Sequence, residues 1–230
     1  MREPPTTERA GALRIVTFNV KHGSLADGRI DSRLLARTCA GLGADVLALQ
    51  EVDRRAIRSR LADQVRLVAR ATGLSAAFGE AARRGLLRRY GNVLLTRGPL
   101  SDIEVASLPS PRDGEHRVAV LAAAAGLSVA ATHLSFREAE GPAQLDALVE
   151  LLDRRPLPRV LLGDLNLGPE VVEPVLAAAG YRIAATGSTF PARSPRSRID
   201  YVAVAGLEIV SAEALEMPIS DHRAVVAEVI

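Results

Sequence analysis

Tryptophan is absent from this 230-residue sequence, and aromatic residues make up only 3% of it. A surface that grips nucleobases by stacking needs rings, so contact with nucleic acid would fall mainly to arginines reaching phosphate. A single cysteine, Cys39, excludes an intrachain disulfide framework. It falls among Leu34, Leu35 and Leu42 at helical spacing, which predicts a buried core thiol. No apolar run reaches the roughly 18 residues of a membrane helix. The longest, Val118 to Ala131, is interrupted by Gly126 and Ser128 and reads as a hairpin of buried strands. "MREPPTTERAGA" at the start lacks the apolar stretch of a secretory leader, so a cytoplasmic monomer is expected. Other parts are missing as well: there is no GxSxG elbow, HExxH helix, Walker loop or GxGxxG turn. Ser220, Asp221 and His222 are adjacent, but adjacency in sequence does not make a triad.

Lysine is nearly absent: of 29 basic residues, all but Lys21 are arginine. Net charge is only +2, so any anion-binding surface must come from clustering. Arginines gather at 54, 55, 58 and 60, at 83, 84, 88 and 89, and at 193, 196 and 198. These loop-like stretches are the candidates for one basic rim, although each alone reads as a solvated face.

A composition of 48% hydrophobic and 24% charged residues is that of a globular chain. Residues 1–11 read as a flexible N-terminal tail and 12–230 as a single domain without a linker. A β-run from Leu13 to Val20 precedes a helix with Asp31 as its N-cap. "ADVLALQEVD" is a buried strand, and Leu61 to Thr72 an amphipathic helix stopped at Gly73. Short β-like runs fill the middle: "NVLLT", "SDIEVASL", "HRVAVLAAA" and "LSVAATHLS". Helices are expected near Pro142–Leu152 and Pro169–Ala179, with "VLLGDLN" between them and three strands after them. Strands and helices that do not strictly alternate argue for α+β layers over a doubly wound parallel sheet.

The apolar strands repeatedly end in polar groups. "TFNV" ends on Asn19, "LQE" on Gln50 and Glu51, "THLS" on His133, and "GDLN" on Asp164 and Asn166. "RIDY" opens a strand with Asp200, and "SDHR" brings Asp221 and His222 before the last one. Along an extended path Asp164 and Asn166 share a face. Each residue has a plain reading, as a turn former, cap, surface carboxylate or satisfied histidine. Their joint occurrence points to a polar site along one rim.

"TFNV", "LQEVD", "YGNVLLTR", "THLS", "GDLN", "RIDYVAV" and "SDHRAV", in this order, resemble the endonuclease/exonuclease/phosphatase, or deoxyribonuclease I-like, family. The resemblance runs from Ile15 to the C-terminus. It implies a four-layer α/β/β/α sandwich of two mainly antiparallel sheets flanked by helices, and divalent-metal-dependent hydrolysis of phosphodiester bonds by an activated water. Glu51 is then the principal ligand of Mg²⁺ or Mn²⁺, with Asn19 and Asp221 nearby. Oxygen donors of this kind suit a hard cation. His222, oriented by Asp200, contacts the phosphate. Asp164 orients or deprotonates the water, Asn166 holds a phosphoryl oxygen, and His133 stands near the phosphate or leaving group. Asp164 and the Asp200–His222 pair are both candidates for the general base. Arg117 stands beside the site or is tied to Glu115, and Tyr90 and Asn92 border the pocket. His22, in "KHG", has a substrate or a structural role. A nuclease is the favoured reading, with a lipid or inositol phosphate hydrolase as the alternative. A catalytically silent binding module is third, because every core position carries the expected residue type.

Overall fold

In the computed structural model the described residues are 11–83, 89–111 and 114–230. The tail expected over 1–11 lies outside them except for Gly11, as do Arg84 and Arg88 of the second arginine cluster.

Along the chain come β1 (Leu13–Asn19), α1 (Ser32–Gly41), β2 (Val46–Arg54), α2 (Gln64–Thr72), β3 (Ser75–Arg83) and β4 (Arg89–Thr96). Next are β5 (Ser101–Ser107), β6 (Val118–Ala124), β7 (Leu127–His133), α3 (Gly141–Asp153), β8 (Arg159–Asp164) and α4 (Pro169–Ala178). The chain closes with β9 (Arg182–Ile183), β10 (Asp200–Ala205), β11 (Ile209–Leu215) and β12 (Ala224–Val229). They form two six-stranded sheets, ordered β11-β12-β1-β2-β4-β3 and β5-β6-β7-β8-β10-β9. Only the pairs β1–β2 and β7–β8 are parallel among the described strands.

Strand alternation builds the layers. In β1, Ile15 faces the second sheet, whereas Val16 and Phe18 face α1 and α2. In β8, Val160 and Leu162 point to the first sheet, and Leu161 packs against α3 and α4. Three apolar clusters result, one between the sheets and one beneath each helix pair. This is the expected α/β/β/α sandwich. Strands apolar on both faces are the signature of a sheet covered on both sides.

Local signals place the helices. Asp31 caps α1, its Oδ1 accepting from the Arg33 and Leu34 amides. The second helix starts at Gln64, three residues after the expected Leu61, because Asp63 caps it by accepting the Arg66 amide. Gly73, at φ 71°, closes it in the left-handed region that glycine favours. Cys39 is on the buried face of α1, and burial pushes its thiol up to about 12.

Candidate active site

The inward-facing row of several strands changes from apolar to polar at one end. Ile15 and Thr17 lead to Asn19, and Val46 and Ala48 to Gln50. In the other sheet, Val129 and Ala131 lead to His133, Val160 and Leu162 to Asp164, and Val202 stands next to Asp200. Register then sets these ends side by side. Asp164 is paired with His133 across β7–β8 and with Asp200 across β8–β10. The sheets meet where Asn19 Nδ2 donates to Asp164 Oδ2 at 2.8 Å.

Glu51 needs a departure from strand geometry to join them. A regular strand would point Gln50 and Glu51 to opposite faces. Instead the β2–β4 register jumps from Leu49↔Val93 to Val52↔Gly91, two residues of β2 opposing one of β4. Glu51 takes φ 59° in this bulge, and its Oε1 accepts from Asn19 Nδ2 at 3.2 Å. Bulges re-aim side chains next to active sites in this way.

The glycine of "GDLN" also has a reason. A Cβ on Gly163 would come within 2.4 Å of the Thr132 carbonyl oxygen, so only glycine lets β7 and β8 close up and bring His133 to Asp164. Gly163→Ala should therefore cost about 1–3 kcal/mol of overpacking strain, read as a lower urea midpoint.

Asp164 does form the turn that its sequence suggests, because its Oδ1 accepts the Asn166 amide at 3.1 Å. The extended path does not continue, however: Asn166 sits at φ 53°, which asparagine tolerates. Its Nδ2 donates to the Leu134 carbonyl at 3.0 Å and faces His133 Nε2 at 3.0 Å. In this arrangement Asn166 orients His133, and its N–H groups are already engaged. Asn19 is likewise fixed, with Oδ1 accepting the Lys21 amide at 3.1 Å and Nδ2 turned to two carboxylates. It holds the carboxylates of Glu51 and Asp164 together and presents them no oxygen.

His222 enters on the loop before β12. Its Nδ1 lies 3.0 Å from Asp200 Oδ2, and its Nε2 is 3.8 Å from Asp164 Oδ2. Phe190 packs on the ring at 4.8 Å between centroids. Burial alone would lower this imidazole, but the charge and hydrogen bond of Asp200, then Asp164 and Asp221, outweigh it and push it up to about 9. Asp164 is raised to about 7 by burial and by the Asp200 charge, against the pull of His222 and Asn19. His133 is held well below its ordinary value by burial, then by Arg117 and His222, and is neutral.

The remaining candidates separate. Arg117 donates to Glu115 at 2.7 Å, and Asn92 is buried, donating to Val118 O at 3.0 Å across the two sheets. Tyr90 lies 5.6 Å from the His22 ring and is covered by the Arg58 guanidinium at 5.6 Å. Asp221 faces Lys21 Nζ at 2.5 Å. Several expected rim arginines are paired: Arg54 with Asp63, Arg58 with Asp53, Arg89 with Glu80 and Arg198 with Glu173. Arg55, Arg60, Arg193 and Arg196 are exposed and make no ion pair among the described residues.

One cluster of donors and one single carboxylate fit a cation in chemistry. Asp164, Asp200 and His222 offer three atoms within 4.8 Å of one another. With its imidazole pushed up to about 9, His222 carries both ring protons and has no lone pair to give, which makes this trio an acid–base group. Glu51 is only partly buried, and its Oε2 accepts no hydrogen bond among the described residues, as suits a hard ion that keeps its waters.

Sequence reading missed Phe136, which stands 68% exposed three residues beyond His133. It also missed Gln64, buried beneath His22, and Ser220, whose Oγ donates to the Asn19 carbonyl at 2.6 Å. The ring directly after "THLS" was the one signal available.

The sequence matches the profile of the Endonuclease/Exonuclease/phosphatase family over residues 16–222. No curated protein matches it by sequence. Among solved structures, an endonuclease/exonuclease/phosphatase from Beutenbergia cavernae is 23% identical with a TM-score of 0.77, over 95% of this chain and 71% of that one. The human Nocturnin catalytic domain, solved with a sulfate anion, is 18% identical with a TM-score of 0.69, over 95% and 94% of the two chains. A humanized D. rerio TDP2 gives 17% and 0.65, over 95% and 99%. At these identities the likeness is one of fold.

Proposed function

The chain belongs to the endonuclease/exonuclease/phosphatase family, a family of hydrolases acting on phosphoester bonds, and from that premise we propose a divalent-metal-dependent phosphodiesterase whose substrate is nucleic acid. The observation that carries the reading is the pair formed by Asp164 and His222. Two groups 3.8 Å apart are driven to opposite tasks, a carboxyl raised to about 7 and an imidazolium held at about 9. Environments that divide neighbouring groups in this way assign the base and the acid.

In the reaction, water adds to phosphorus as the bond to the leaving oxygen breaks. Asp164 takes the water's proton, and His222 Nε2 supplies one to the leaving oxygen, with Asp200 holding the ring. Glu51 would hold a divalent ion, which would supply charge neutralisation at the phosphoryl oxygens. Turnover of a panel of DNA, RNA, lipid and inositol phosphates with Mg²⁺ or Mn²⁺ tests the reading. Exclusive turnover of small inositol phosphates would overturn the nucleic-acid assignment.

One feature favours nucleic acid: Phe136, three residues beyond His133, presents an exposed aromatic face. Base–aromatic stacking contributes about 1–3 kcal/mol per base. Phe136→Ala should raise Kd for a single-stranded oligonucleotide by the corresponding factor, about 5- to 150-fold. Fluorescence anisotropy measures it, with hydrolysis of a small phosphodiester as the control that stays unchanged.

A further inference from the structure

We propose that His22 binds, through Nε2, the same divalent cation that Glu51 anchors, making the centre a mixed nitrogen–oxygen site that favours transition ions such as Mn²⁺ over Mg²⁺. The inference rests on the reading of Glu51 given above.

The tautomer of His22 is fixed by its partner. Nδ1 lies 2.8 Å from the carbonyl oxygen of Glu51, and a carbonyl only accepts, so Nδ1 carries the hydrogen. In the neutral ring this leaves a lone pair on Nε2. That atom is 3.3 Å from Glu51 Oε2, yet it makes no hydrogen bond among the described residues. A simple ion pair would place an Nε2–H on the line to Oε2, and that geometry is not formed. Instead the two atoms stand side by side as donors. Cis donors on one cation, with bonds of about 2.1 Å, lie about 3 Å apart, close to what is found here.

The ring is also braced as ligating histidines are. Such a histidine almost always gives its other N–H to a carbonyl or carboxylate, which fixes its orientation and raises its basicity. Asp53 Oδ1 also lies 3.6 Å from Nδ1, and this carboxylate is gripped by Arg58 through Nε and Nη2. Gln64 locks the backbone: its Nε2 donates to the His22 carbonyl at 2.7 Å, and its Oε1 accepts the Asp53 amide at 2.9 Å. The side chains of His22 and Glu51 remain 13% and 23% exposed, enough for an ion to enter with its water. Imidazole nitrogen is a softer donor than the oxygens Mg²⁺ demands, so it shifts preference toward the transition series.

The test uses the full-length protein, with Mn²⁺ and Mg²⁺ as probes, in the wild type and in His22→Asn, His222→Asn and Glu51→Gln. Asparagine tolerates the left-handed backbone of His22 at φ 59°, so the first variant preserves the turn. Pulsed electron paramagnetic resonance of bound Mn²⁺ should show coupling to a directly bound nitrogen in the wild type and in His222→Asn, and none in His22→Asn. By calorimetry, His22→Asn should weaken Mn²⁺ at least about tenfold and Mg²⁺ far less, tenfold being what even an outer-shell contact contributes. Mn²⁺ binding that depends on Glu51 but shows no nitrogen coupling, or coupling that survives in His22→Asn, would overturn the role of His22 and leave the Glu51 reading standing. Mn²⁺ binding unaffected by Glu51→Gln would overturn both.

Discussion

Asp164→Asn should leave the protein folded and able to bind its substrate, while single-turnover cleavage falls by about 10²–10⁴-fold, the usual contribution of a general base. The substitution keeps the shape of the side chain and its turn with Asn166, removes the proton acceptor, and turns an N–H toward Asn19 Nδ2 in place of the oxygen that accepts from it. Its electrostatic consequence has a definite sign. Folding raises this carboxyl from 3.8 to about 7, so the native protein holds a proton that the unfolded chain has released. Stability is therefore lost as pH rises from about 4 to about 7. The asparagine variant has no carboxyl to titrate and should lack this loss, so its melting temperature should gain on that of the wild type as pH rises from about 4 to about 7. Cleavage at the wild-type rate by the folded variant would reduce Asp164 to a turn former.

Removal of divalent metal should have the other large effect. Turnover should vanish in excess chelator and return on adding Mg²⁺ or Mn²⁺, because charge at the phosphoryl oxygens then lacks its counter-ion. Glu51→Ala should raise the metal concentration for half-maximal activity by at least about tenfold, as loss of even a supporting group does. Circular dichroism should be unchanged, since Glu51 lies in an irregular step of β2 and outside the apolar clusters. Full activity in excess chelator would dismiss the metal mechanism.

The sandwich was legible because its strands are short, apolar on both faces and punctuated by polar ends, and because Asp31 and Gly73 announce helix limits in their own chemistry. What escaped was pairing. β3 went unread because "SAAFGEAAR" is rich in alanine, alternates weakly and is held mainly by its neighbour β4. For the same reason the sequence does not say that β4 and β5 belong to different sheets, although they are consecutive. Within the site, the inward rows ending in Asn19, His133 and Asp164 follow from a period of two. The direction of Glu51 does not, because it depends on a one-residue bulge that leaves no mark on the hydrophobic pattern. The resemblance implies Asn19 near the metal and Asn166 on a phosphoryl oxygen. In the structure their N–H groups turn to neighbouring protein groups, Asn19 to Asp164 and Asn166 to His133 and the Leu134 carbonyl.

The hydrogen bonds from Asn19 to Asp164 and from Asn92 to Val118 cross from one sheet to the other, through a layer that is otherwise largely apolar. Apolar burial is non-directional, so directed polar contacts of this kind fix how the two sets of side chains meet. Glu51 and Asn19 travel with the first sheet, and His133, Asp164 and Asp200 with the second. The candidate site is thus divided between the two sheets, and its geometry is set by how they are aligned as much as by how each is built.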